Sequence, residues 1–242
     1  MRKLYEKSEI LFAVAWIIGY CVLASIGDNL SEKVGITKIV SLPILIVLSL
    51  VLIVFVKKNQ LVDKYGLCKP KLSASKMLFY LPAFFLLTVN LWDGAVMNYS
   101  VAETILYILF MLCVGFLEEM IFRGLLFKAL LKDGVKSAII VSSITFGLGH
   151  FINLINGSGA EFFSNIIQVI YAIAIGFMLV MLFYRTKSLL PCIFTHGIFS
   201  ALSVFAKWPV RTTWRSIFTC IFIVSIVGGY ALYLAYMKEE NN

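Results

Sequence analysis

Glu118 and Glu119 stand side by side in an otherwise apolar stretch that runs from Ile105 to Leu131, and Arg123 follows four residues after the second acid. An ionised side chain near a bilayer centre costs a few kcal/mol or more, so such groups are kept there mainly for a purpose. The chain has only two histidines, His150 and His196, and both also fall in apolar stretches. Carboxylates and imidazoles pass protons to and from water, so the set predicts acid–base chemistry performed within a membrane.

The two acids are not equivalent. Glu119 and Arg123 are four apart, share a helix face and are expected to pair as a structural scaffold. Glu118 points about 100° away around the helix. Free of the arginine, it can take a proton from water and return it to a leaving amine, which makes it the expected general base. His150 could hold the same water or donate a hydrogen bond to it. His196 and Ser200 are again four apart, so imidazole and hydroxyl face one space and could stabilise the oxyanion of a tetrahedral intermediate. Ser200 has a second reading, a hydroxyl bonded back to the carbonyl at position 196.

Composition decides what holds these groups. Of 242 residues, 61% are hydrophobic and 14% charged, with a mean hydropathy of +0.94; a water-soluble domain carries roughly a quarter charged residues. Apolar windows long enough to cross ~30 Å of hydrocarbon recur throughout. The expected fold is all-α, a polytopic transmembrane bundle of about eight helices forming a single domain over 1–242, with the motif-bearing core at about 102–206. Candidate spans are 10–27, 37–56, 77–97, 102–131, 137–156, 162–184, 188–206 and 216–237. The first is read as a retained helix and not a signal peptide, because no small-x-small cleavage pattern follows it.

Sixteen of the 21 lysines and arginines then fall on one side of this arrangement. That bias places both termini in the cytoplasm and accounts for the net charge of +8 without nucleic acid. The basic loop 57–76 could also touch anionic lipid head groups. The span 102–131 exceeds one bilayer crossing, so Gly124 is expected to mark a kink or break, and Asp133-Gly134 a turn. Counting from that turn, Glu119 and His150 lie 13 and 14 residues along adjacent antiparallel helices, each ~20 Å deep. His196, nine residues past Lys187, lies roughly 14 Å deep by the same rise. Three helices can therefore converge on one polar pocket.

Glu118-Glu119-Met-Ile-Phe-Arg123 matches E-E-x-x-x-R, Phe146-Gly-Leu-Gly-His150 matches F-x-x-x-H, and His196-Gly-Ile-Phe-Ser200 resembles H-x-x-x-N. In this order, over about 115 to 205, the chain resembles the CPBP family of type II CAAX-prenyl endopeptidases and bacteriocin-processing or abortive-infection proteins. The resemblance implies a glutamate-dependent intramembrane endopeptidase in which Glu118 and His150 activate water and His196 with Ser200 forms the oxyanion site. Glu119, Arg123 and Phe146 would support them. Serine at position 200 departs from the commoner asparagine. Metal-free chemistry is expected, with zinc on Glu118, His150 and His196 as the alternative, although no H-E-x-x-H is present.

The expected protein is thus a multi-pass peptidase of a bacterial plasma membrane, acting on a membrane-associated or lipidated peptide or precursor. The alternatives are a non-catalytic bacteriocin-immunity protein and a proton-coupled transporter. Remaining features read as structure. The five cysteines lack metal or disulfide spacing, Asn153 could support the site but reads as interfacial, and Trp92, Trp208 and Trp214 are anchors at span ends. Gly176, Gly228 and Gly229 are expected to permit close helix packing.

Overall fold

Ser8 opens the first long helix: its hydroxyl accepts from the Leu11 amide at 3.2 Å, and Gly35, at φ +76°, closes it. A computed structural model of the protein describes residues 1–156, 161–207 and 213–237. Its helices are α1 (Arg2–Lys7), α2 (Glu9–Val34), α3 (Ser41–Lys58), α4 (Leu81–Thr88), α5 (Val101–Glu119), the short α6 (Lys128–Leu130), α7 (Val135–Gly149), α8 (Phe162–Thr186), α9 (Leu190–Leu202) and α10 (Thr213–Tyr236). No strand forms among the described residues; one isolated bridge joins Ala95 to Ala206. The all-helical expectation holds, and Trp208 and Arg211 lie outside the described residues.

Among the described residues six helices are long and apolar enough to cross a membrane, and two of the eight expected spans are shorter, Leu81–Leu91 and Leu190–Phe205. Local backbone explains both. Leu78 and Tyr80 adopt positive φ just before α4, which a helix cannot include, and Pro82 sits in its first turn. Lys187, at φ +55°, ends α8, and Pro191 starts α9 immediately after.

The long fourth span is corrected in kind. No break occurs at Gly124. The capping box of Ser100 and Glu103 starts α5, and beyond Glu119 the helix widens into a π-helical stretch, Met120–Phe127, whose every residue is buried. Helical structure thus continues over Val101–Asp133, 33 residues in all. Gly134, at φ +110°, supplies the expected turn. Within the widened stretch, Phe122 O accepts from the Ser142 hydroxyl of α7, at 2.8 Å. His150 also differs from expectation, because α7 ends at Gly149 and His150 opens a 3-10 turn through Leu154.

Glycines decide where helices meet. A Cβ on Gly115 of α5 would stand 2.5 Å from the Gly197 Cα of α9, so the two backbones cross at contact. Gly147 of α7 meets Ile173, and Gly176 of α8 meets Ser143, in the same way. The expectation for Gly228 and Gly229 fails, since nothing lies within 4 Å of a Cβ at either. Trp92 packs edge-on against Phe85 and Phe222, while Trp214 is exposed.

Candidate active site

The crossing of Gly115 and Gly197 places the residues that follow Gly115 beside those that precede Gly197. Glu119, one turn past Gly115, reaches His196: Nδ1 lies 2.8 Å from Glu119 Oε1. The same oxygen accepts from Arg123 Nη1 at 3.0 Å, with both side chains fully buried. Arg123 Nη2 donates to the Gly176 carbonyl at 3.4 Å, and its guanidinium lies 4.0 Å from the Phe146 ring centre. The expected pairing of Glu119 with Arg123 is present, and the arginine is held on three sides by α5, α7 and α8.

Phe146 joins the two histidines. Its ring meets His150 and His196 edge-on, with centroids 5.4 and 5.6 Å away. The phenylalanine of F-x-x-x-H therefore wedges both imidazoles as well as stacking on Arg123. His150 Nδ1 lies 3.2 Å from the Phe146 carbonyl. A carbonyl only accepts, so in the neutral ring Nδ1 carries the proton and Nε2 presents a lone pair. His150 is within electrostatic range of Glu118 and of His196.

Glu118 differs from its neighbour as the helical geometry requires. It keeps 15% of its side chain exposed, against none for Glu119. Its Oε2 faces His196 Nε2 across 3.7 Å, beyond direct hydrogen bonding. Its Oε1 accepts from the Tyr20 hydroxyl of α2 at 2.8 Å. His196 is thus poised between the acids, Nδ1 committed to Glu119 and Nε2 turned toward Glu118.

Ser200 lies on α9 one turn beyond His196 and is partly exposed. Its carbonyl accepts from the Ser203 hydroxyl at 2.6 Å, and among the described residues its own hydroxyl makes no hydrogen bond, so the back-bonded reading is not the one adopted. Asn153 is not a lone interfacial residue. It donates to Gln168 at 3.1 Å, and Gln168 also accepts from Asn165. Asn165, buried in α8, donates to the His150 carbonyl at 3.0 Å and so ties down the turn carrying that imidazole. Glu118, His150 and His196 do not make up a metal-holding group: no set of three histidine, cysteine or acidic side chains does so among the described residues. Arg123 and His196 already occupy Glu119 Oε1.

Sequence reasoning missed Tyr20, Asn165 and the Gly115–Gly197 crossing. The one signal for Tyr20 was its depth. It sits mid-span, away from the interfacial belt where tyrosines collect, and so needs a buried partner for its hydroxyl.

Residues 100–202 match the family model of the Rce1-like type II CAAX prenyl endopeptidases. That segment contains Glu118, Glu119, Arg123, Phe146, His150, His196 and Ser200 and agrees with the resemblance carried by the three motifs. No curated protein and no solved structure matches the chain. With its apolar helices, the chain is a multi-pass membrane protein with a segment similar to the type II CAAX prenyl endopeptidases.

Proposed function

We propose that this CAAX-type membrane peptidase hydrolyses a peptide bond of a membrane-associated or lipidated peptide, with water activated by Glu118 and His150. The observation that carries this is the unequal treatment of the two acids. Glu119 is fully buried, with Oε1 shared by Arg123 and His196, whereas Glu118 is partly exposed and turns Oε2 to the space beside His196 Nε2. A water there donates one hydrogen to Glu118 and the other to His150 Nε2, which leaves its lone pairs for the peptide carbonyl carbon. On attack the proton passes to Glu118. The oxyanion receives the Ser200 hydroxyl and, with both ring nitrogens protonated, the His196 Nε2–H. Collapse breaks the C–N bond, and Glu118 returns its proton to the leaving nitrogen.

The family match supports a peptidase over an immunity protein or a transporter. A bacterial peptide precursor is the substrate this reading favours, approached from the cytoplasmic side that the lysine and arginine bias suggests. The test uses purified protein in lipid nanodiscs, offered a farnesylated C-terminal peptide and an unlipidated leader peptide. Wild-type protein should cut at least one, and Glu118→Ala neither. Cleavage by Glu118→Ala at the wild-type rate defeats the proposal.

A further inference from the structure

Tyr20 stands 98 residues from Glu118 in sequence and outside the matched segment 100–202, yet its hydroxyl is the partner of the acid assigned as base. Its α2 neighbours on the same face, Phe12, Ala13 and Trp16, are buried, and α2 packs against the π-helical stretch that follows Glu119. The ring is therefore locked by packing, with its hydroxyl 2.8 Å from Glu118 Oε1. Both are largely buried: Tyr20 is 8% exposed and the Glu118 side chain 15%. A glutamate has three rotatable bonds, and beside His196 an unrestrained carboxylate would close the 3.7 Å gap to Nε2 and fill the space where water must sit. The phenol holds one oxygen back.

We propose that Tyr20 is a positioning residue for the hydrolytic reaction, its hydroxyl anchoring Glu118 Oε1 so that Oε2 alone faces the water, and that the N-terminal helix α2 is thereby part of the active site. This rests on the peptidase reading above. A hydrogen bond to a carboxylate is among the stronger ones in a protein, and a shift of about 1 Å in a reacting group costs on the order of 100-fold.

The experiment compares wild type, Tyr20→Phe and Ile18→Ala in nanodiscs. Each is measured for kcat, KM, unfolding temperature and the carboxyl and carboxylate infrared bands, with Glu118→Gln identifying the Glu118 band. Tyr20→Phe should lower kcat about 10- to 100-fold, leave KM and unfolding temperature near wild type, and shift the Glu118 band. Ile18→Ala, on the exposed face of the same helix, should leave kcat and the band unchanged. Wild-type kcat in Tyr20→Phe, or an equal loss in Ile18→Ala, overturns the positioning role. If wild type cuts no peptide while the band still shifts, the peptidase reading falls and the Tyr20–Glu118 bond stands. An unshifted band removes the bond itself.

Discussion

In the first hundred residues the ion pairs Arg2–Glu6, Lys38–Asp28 and Lys64–Glu9 lie at helix ends or in the adjoining loops, each with side chains partly exposed. Between Val101 and Leu202 the pair Glu119–Arg123 lies in the helix interior with no exposure at all, and its carboxylate is shared with His196. A rim pair is hydrated, costs little and returns little. An interior pair carries a desolvation penalty that its attraction barely offsets, while losing one partner is severe. The two segments put charge to different uses. The N-terminal helices use it to mark where they end, and the matched segment uses it to hold an imidazole against a second acid.

Arg123→Met should sharpen the contrast most. It leaves Glu119 buried and unpaired, for which a loss of about 3–5 kcal/mol is expected in a denaturation assay. Arg123→Lys should recover only part, because a lysine cannot both bond Glu119 and stack on Phe146 as a planar fork does. Ser200→Ala removes one proposed oxyanion donor, and kcat should fall on the order of 100-fold or more with folding unchanged. An unchanged kcat would return Ser200 to a structural role.

Gly115→Ala comes next. Its Cβ would press on the Gly197 backbone, pushing α9 and His196 away from the acids, and cleavage should drop about 100-fold, with unfolding temperature reporting the added strain. Gly228→Ala, where space is open, is the matched control and should be silent in both assays. The smallest effect belongs to the rim. Burial works against the Lys64 ammonium, but the Glu9 carboxylate and Tyr5 hydroxyl outweigh it and raise its pKa. The contribution of this pair is therefore complete below the ordinary lysine range and fades as pH rises through the raised value. Lys64→Ala should cost less than about 1 kcal/mol at neutral pH. A cost equal to that of Arg123→Met would erase the distinction between the two halves.

Much of the site was legible because it depends on spacing along single helices. The four-residue step fixed the Glu119–Arg123 pair and turned Glu118 elsewhere, and counts of 13 and 14 residues from the Asp133-Gly134 turn put His150 near the level of the acids. What depends on contact between distant segments was not legible. Nothing local separates Gly115, which meets Gly197, from Gly228, which meets nothing. The 98-residue reach from Tyr20 to Glu118 leaves no trace in periodicity. Two expected crossings proved short because positive-φ residues and prolines set helix ends that a hydropathy window reads through. The π-helical stretch after Glu119 has only Gly124 as a local signal, and a glycine does not tell a widened helix from a broken one.

The division of labour between the adjacent acids is the claim on which the rest stands. It is tested by purifying Glu118→Gln and Glu119→Gln side by side and recording peptide cleavage and thermal unfolding for each. Glu118→Gln should unfold near the wild-type temperature and cut nothing, while Glu119→Gln should unfold earlier and keep part of its activity. Cleavage at the wild-type rate by Glu118→Gln, or a folded and inactive Glu119→Gln beside an active Glu118→Gln, would contradict the account.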